Sequence, residues 1–258
     1  MSNSPMSSSS HWAVSFDFDN TLLLSEACKH ATMREVCSRH EGGLEVLQTV
    51  PYDSRTAPPG VVVTRHTIFA GVAKGLLARG TPSPIASAPN DAERFGQHLC
   101  AEFSSLLEAR LLEAEEVPGA VVLLKHLSAY GIPCYVNTAT PQAPIDELVD
   151  ALGWRRYFRG VFGAPGSKVD NLQTIARAAA APEPGEAAAR LVHVGDGDND
   201  CRAAAEFGCA FIGIALPPNR GGSGAPGGVF SGPCAAVAAD LIDAAARLCP
   251  MVIRPASK

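Results

Sequence analysis

Two aspartates two positions apart, Asp17 and Asp19, stand at the end of an apolar run that predicts a buried strand over residues 11–18. Alternate residues of a strand point to the same side, and two neighbouring carboxylates repel each other unless a cation or a shared proton relieves them. Such a pair can bind Mg²⁺, or one acid can attack a substrate while the other moves a proton. A solvated turn or helix N-cap explains the pentapeptide Asp17–Thr21 equally well.

Two further polar residues stand where predicted elements meet. Thr138 follows the apolar segment IPCYVN, where a hydroxyl could donate to a phosphate oxygen or cap a helix. Lys168 follows the turn GAPGS at the start of a predicted helix. The helix dipole disfavours a cation there, which hints at an anionic partner, although a solvated surface lysine is the simpler interpretation.

A third acidic group, Asp196, Asp198 and Asp200, lies between a predicted strand and a predicted helix. Three acids in so short a segment repel strongly without a cation. A calcium loop of the EF-hand type is excluded, because its twelfth position would be Phe207 instead of glutamate. One helix N-cap would explain one of these acids and not three.

The elements around these residues predict an α/β protein. Strands and helices alternate after residue 117, and this alternation is typical of a parallel sheet covered on both faces, with an active site outside the carboxyl ends of its strands. Residues 24–116 instead show apolar residues at helical spacing. The predicted strands are 11–18, 132–138, 159–163, 190–196 and 209–215, and the predicted helices are 25–40, 64–80, 91–116, 120–131, 143–153, 168–181, 199–208 and 235–248.

Composition excludes several classes of protein. The 258 residues are 47% hydrophobic, enough for a sizeable core, and a net charge of −5 argues against a nucleic-acid partner. No apolar run is long enough to span a bilayer. The polar, Ser-rich residues 1–11 predict a disordered tail without a secretory signal, and residues 217–232, dense in Gly and Pro, predict a mobile loop. Eight cysteines without a Cys-x-x-Cys pair are typical of reduced thiols in the cytoplasm.

The polar segments FDFDNT, VNTATP, GAPGSK and HVGDGDND resemble, in this order, the motifs of the haloacid dehalogenase-like hydrolase superfamily. The segments GWRRYFRGVFGAPGSK and AAAEFGCAFIGIA resemble its phosphoglycolate-phosphatase-like branch. The resemblance implies a Rossmann-like parallel sheet core flanked by helices, formed by 12–23 and 117–258. It also implies an inserted α-helical cap domain at 24–116, which is placed by its position and helical pattern.

The resemblance also implies roles for the reacting groups. Asp17 would attack phosphorus and form an aspartyl-phosphate, while Asp19 would protonate the leaving oxygen and then activate water. Thr138 and Lys168 would hold the phosphoryl oxygens, and Lys168 would also offset the charge on Asp17. These roles suit phosphoryl transfer, in which positioning and charge neutralisation dominate.

A magnesium site is implied at the same edge of the sheet. Asp17, the backbone carbonyl of Asp19, and Asp196 would bind Mg²⁺, with Asp200 supporting the metal shell or Lys168. Asp198 matches no fixed position of the pattern, so the choice among the three acids of this segment stays open.

The expected function is a magnesium-dependent phosphatase acting on a small phosphorylated metabolite. A dehalogenase is less compatible, because the resemblance implies that dehalogenases lack an acid at the position of Asp19. A phosphomutase acting on a sugar phosphate would use the same residues and is the nearest alternative. A non-catalytic phosphate-binding protein is a third, and the filled motif positions argue against it. The oligomeric state stays open.

Overall fold

The computed structural model describes residues 12–51, 63–179, 190–217 and 230–253. The predicted disordered tail, residues 1–11, and the greater part of the predicted mobile loop, residues 218–229, lie outside this range. The chain forms two compact units, one of Met1–Glu26 with Ala114–Lys258 and one of Ala27–Glu113.

The first unit contains a parallel sheet of six strands in the order β3-β2-β1-β4-β5-β6, counted over the described residues. The central strand β1 is buried along its whole length and pairs with β2 on one side and β4 on the other, with Phe16 opposite both Val136 and Val194. These three strands therefore end at one edge of the sheet. The strands are β1 (Ala13–Phe16), β2 (Cys134–Pro141), β3 (Phe158–Ala164), β4 (Leu191–Gly195), β5 (Ala210–Ile214) and β6 (Ala236–Ala238).

In the described residues, helices lie between consecutive strands from β1 to β5, as the alternating pattern predicted, so the α/β Rossmann-like fold is confirmed. Local side chains set where two of them begin: the Ser167 hydroxyl accepts from the Asp170 amide, and the Asp240 carboxylate accepts from the amides of Ile242 and Asp243. The helices are α5 (Ala120–Ala129), α6 (Gln142–Ala151), α7 (Lys168–Ala178), α8 (Asp198–Phe207) and α9 (Leu241–Val252), with a short 3₁₀ helix at Arg155–Tyr157.

The predicted helix over 235–248 is wrong in its first part. Ala236–Ala238 forms the edge strand β6 instead, with Ile212 opposite Ala236, and the helix begins only at Leu241. A short segment of alanine and valine is compatible with either a helix or a strand. Here the edge of β5 provides backbone hydrogen-bond partners, so the segment forms a strand. The amide of Ala215, for example, donates to the carbonyl of Ala238 at 2.8 Å.

The second unit is helical, with helices α1 (Ser25–Ser38, which begins in the first unit), α2 (Gly43–Thr49), α3 (Arg65–Ala78) and α4 (Ala92–Leu112). Its core is apolar, and the rings of Phe69 and Phe103 lie 5.4 Å apart between α3 and α4. Asp91 caps α4. The short helix α2 was not predicted. The assignment of residues 24–116 as a cap stays a prediction.

Across the described ranges, every helix is too short or too polar to cross a membrane.

Candidate active site

The sheet edge gathers the polar residues that the sequence singled out. Asp17 follows β1 directly and Asp196 follows β4 directly, and the Asp17 amide donates to the Val194 carbonyl at 2.8 Å. Lys168 is the first residue of α7, as predicted. Thr138 lies within β2, because that strand runs on to Pro141.

Lys168 joins two aspartates from different strand ends. Its Nζ donates to Asp17 Oδ1 at 2.7 Å and also to Asp200 Oδ1. The side chains of Lys168, Asp17 and Asp200 are only 10%, 8% and 1% exposed, so water screens these ion pairs weakly. Burial alone would lower the pKa of Lys168, but the charges of Asp17 and Asp200 outweigh it and hold that pKa above its ordinary value. The lysine is therefore a fixed cation.

The acidic groups outnumber this cation. One oxygen from each of Asp17, Asp196 and Asp200 lies within 4.8 Å of the others. Burial raises the pKa of Asp17 to about 7, with the attraction of Lys168 opposing the shift and the neighbouring acids adding to it. Burial also raises the pKa of Asp196, and the charge of Asp17 adds to this shift. A cluster of closely spaced carboxylate oxygens that resists full ionisation fits a hard divalent cation such as Mg²⁺.

The carboxylate of Asp200 is bound on both oxygens by the protein. Besides Lys168, its Oδ1 faces His193 Nε2 at 3.0 Å, and its Oδ2 accepts from the Gly197 amide at 3.2 Å. Burial would raise the pKa of Asp200, but the Lys168 charge and the His193 hydrogen bond lower it to about 2. Asp200 therefore holds Lys168 in place. Asp196 is the least buried acid of the cluster.

Two hydroxyls hold the Asp19 carboxylate. Ser25 Oγ donates to its Oδ1 at 2.5 Å and Thr140 Oγ1 donates to its Oδ2 at 3.0 Å. Asn20 adopts a left-handed conformation with φ 53°, and it turns the chain directly after Asp19. Sequence reasoning missed both hydroxyls: Ser25 lay in the predicted cap segment, and Thr140 lies beyond the predicted end of its strand.

A pair of asparagines supports the start of α7. Asn137 Nδ2 donates to the Lys168 carbonyl at 3.0 Å, and Asn171 Nδ2 donates to Asn137 Oδ1 at 3.0 Å. A Cβ on Gly166 would come within 2.6 Å of Asn171 Oδ1, so a larger residue in the turn before Lys168 would displace the Asn171 side chain. Sequence reasoning missed these residues, because a single asparagine within a strand or a helix carries no local sign of a distant partner.

Asp198 is engaged elsewhere. Its Oδ1 accepts from the Ser231 amide at 2.6 Å, and its Oδ2 pairs with Arg202 at 3.1 Å. Burial would raise the pKa of Asp198, but its hydrogen bonds with Ser231 and the charge of Arg202 hold that pKa below its ordinary value. The acid therefore secures the segment before β6 and does not belong to the cluster of three.

The chain therefore combines a Rossmann-like parallel sheet with a buried cluster of aspartates and lysine at the ends of its strands. The chain belongs to the haloacid dehalogenase-like hydrolase family, whose model matches residues 13–208.

Comparison with individual known proteins supports this family assignment. The chain is 29% identical over 199 residues to a phosphoglycolate phosphatase of Caulobacter vibrioides, which covers 76% of this chain and 75% of that protein. A haloacid dehalogenase-like hydrolase from Streptococcus pneumoniae superposes with a TM-score of 0.58 at 19% identity, covering 92% of this chain and 98% of the other. A putative β-phosphoglucomutase from Thermotoga maritima gives a TM-score of 0.57 at 17% identity, covering 88% and 94%. These two structures share the fold.

Proposed function

We propose that this enzyme is a magnesium-dependent phosphatase that hydrolyses a small phosphate monoester through an aspartyl-phosphate on Asp17. The observation that carries the proposal is the buried Asp17 carboxylate, held by Lys168 within the cluster of aspartates. The similarity to a phosphoglycolate phosphatase supports this reaction class and makes phosphoglycolate the first substrate to test.

In the first step, an Asp17 oxygen attacks phosphorus while the bond to the ester oxygen breaks. Asp19 gives its proton to the departing alcohol, and its two hydroxyl partners fix the direction of that transfer. In the second step, Asp19 takes a proton from water, the water oxygen bonds to phosphorus, and the bond to Asp17 breaks. Free phosphate leaves, and both carboxyl groups return to their starting states.

Two side chains hold the phosphoryl group in this proposal. Lys168 brings a positive charge to the oxygen cluster around Asp17, where charge builds up during transfer. The Thr138 oxygen accepts from the Thr140 amide at 3.2 Å, which leaves the Thr138 hydroxyl hydrogen to donate to a phosphoryl oxygen.

The metal ligands would be Asp17, the backbone carbonyl of Asp19, and Asp196. When bound there, Mg²⁺ would neutralise the repulsion between an anionic nucleophile and an anionic ester. Asp200 would support the site through Lys168.

We further propose that Ala27–Glu113 acts as a cap that selects the leaving group. Its two connections run side by side within the first unit: the Leu24 amide donates to the Glu115 carbonyl at 2.9 Å, and the Val117 amide donates to the Leu22 carbonyl at 2.9 Å. The first of these connections follows Asp19 closely along the chain, and the second returns to the first unit at Ala114. In general, a cap domain can exclude water from reacting groups and select the leaving group.

The test is phosphate release from a panel of esters, with Mg²⁺ and with EDTA. The panel contains phosphoglycolate, sugar phosphates, nucleoside monophosphates, pyridoxal phosphate and p-nitrophenyl phosphate. We expect magnesium-dependent release that Asp17→Asn abolishes, whereas the matched control Asp198→Asn, which removes an acid outside the cluster, stays within about threefold of the wild type.

Full activity in EDTA would remove the metal from the proposal, and near-normal turnover by Asp17→Asn would remove the nucleophile. A sugar phosphate that isomerises without releasing phosphate would identify a phosphomutase.

A further inference from the structure

His193 lies in the middle of β4 and is completely buried, yet both of its ring nitrogens have polar partners. Nε2 lies 3.0 Å from Asp200 Oδ1. Nδ1 lies 3.1 Å from Ser15 Oγ and 3.2 Å from the Ser15 carbonyl oxygen. An apolar residue would fill this space beside the Phe211 ring without needing any of these bonds.

The partners determine which nitrogen must carry a proton. Asp200 Oδ1 accepts from Lys168 Nζ and Asp200 Oδ2 accepts from the Gly197 amide, so the group is held as a carboxylate that can only accept. Nε2 must therefore be the donor. Ser15 Oγ can donate its hydrogen to Nδ1, which completes a directed chain from Ser15 through His193 to Asp200.

The chain continues into the proposed active site. The oxygen of Asp200 that accepts from His193, Oδ1, is also the oxygen that accepts from Lys168 Nζ. Lys168 in turn holds Asp17 Oδ1 at 2.7 Å. Moving that Asp200 oxygen would move the ammonium group, and with it the orientation of Asp17.

We infer that His193 is a positioning residue: its Nε2–H fixes Asp200, and through Asp200 it sets the place of the Lys168 ammonium beside Asp17. The catalytic consequence of this inference rests on the proposed function, whereas the hydrogen bond between His193 and Asp200 does not depend on it. A displacement of about 1 Å in a reacting group can cost about 100-fold in rate, so a residue without substrate contact can matter this much.

Two amide substitutions separate this role from packing. In His193→Gln the amide nitrogen takes the place of Nε2 and keeps the bond to Asp200, whereas in His193→Asn it takes the place of Nδ1 and faces Ser15 instead. Both put an unbranched polar chain at the same buried strand position. We expect His193→Gln to stay within about fivefold of wild-type kcat, and His193→Asn to lose about 30- to 100-fold, chiefly in kcat.

The kinetics are measured at substrate and Mg²⁺ saturation and normalised to the folded fraction found by urea unfolding. Equal kcat values for the two folded variants would overturn the inference, because packing alone would then explain His193.

Side-chain ¹⁵N–¹H correlation spectra of the wild-type protein test the bond without any variant and without activity. We expect Nε2 of His193 to be protonated, and an unprotonated Nε2 would overturn the inference, since that nitrogen could not donate to Asp200. If the wild type shows the protonated Nε2 but releases no phosphate from any ester, the proposed function fails while the hydrogen bond stands.

Discussion

Replacing Lys168 by methionine tests the electrostatics of the site most directly. Methionine keeps a chain of similar length and removes the charge that binds Asp17 and Asp200. At 2.7 Å, the Lys168–Asp17 attraction alone amounts to roughly 6 kcal/mol for an effective dielectric constant of about 20. The substitution also removes the cost of burying the Lys168 charge, which offsets part of this loss. We therefore expect a net loss of about 3–5 kcal/mol in the free energy of unfolding.

The loss in the free energy of unfolding caused by Lys168→Met depends on pH. The folded pKa of Asp17 is raised to about 7, above its unfolded value, and removing Lys168 raises it further. The folded variant therefore keeps a proton on Asp17 at pH values where the wild type releases it. The destabilisation caused by Lys168→Met should consequently grow from pH 6 to pH 8.

Urea unfolding in EDTA at these two pH values measures the effect. The two tryptophans, Trp12 and Trp154, both belong to the first unit, so their fluorescence reports on the unit that contains the site. Phosphate release should fall by about 100- to 1,000-fold or more at saturating Mg²⁺, because the variant lacks the cation beside the transferring group. Lys125→Met, on the exposed side of α5, is the matched control.

This prediction would be wrong if Lys168→Met lost less than about 1 kcal/mol at pH 8, no more than Lys125→Met loses, and kept a kcat within tenfold of the wild type. That result would mean that Asp17 and Asp200 do not depend on this lysine.

Two other predictions concern the metal and the proton donor. Because burial raises the pKa of Asp17 to about 7, the stability contribution of its protonated form is lost as the pH rises toward that value in the metal-free protein. Mg²⁺ needs the ionised carboxylate, so the rise in Tm on adding Mg²⁺ should be larger at pH 8 than at pH 5.5; an equal rise at both would contradict the assignment of Asp17 as a ligand. Thr140→Val removes the hydroxyl that donates to Asp19 Oδ2. It should lower kcat about tenfold for alkyl phosphates and much less for p-nitrophenyl phosphate, whose leaving group needs no proton; equal losses for both esters would separate Thr140 from proton transfer.

The sequence alone determined the α/β fold and the positions of the acidic segments within it. The buried strands are mostly apolar, and some of them are followed by residues that cannot be buried without partners, such as Asp17 after β1 and Asp196 after β4. Both signals are local, so they can be recognised without knowing what packs against them. The start of the helix predicted over 91–116 is also local, and the structure begins α4 one residue later, at Ala92, with Asp91 as its cap.

The strand β6 depended on an interaction that no local pattern contains. Ala236–Ala238 would suit a helix by composition, but the open edge of β5 pairs with it. A backbone partner from elsewhere in the chain therefore outweighed the helical propensity of alanine.

The tertiary structure alone decided which polar side chains share a hydrogen-bond network. Thr140 meets Asp19 across 121 positions of sequence, and His193 meets Ser15 across 178. Serine, threonine and histidine are ordinary in strands and turns, and their spacing carries no sign of a distant partner. Only the parallel pairing of β1 with β2 and β4 brings these side chains together, because it aligns strand ends that lie far apart along the chain.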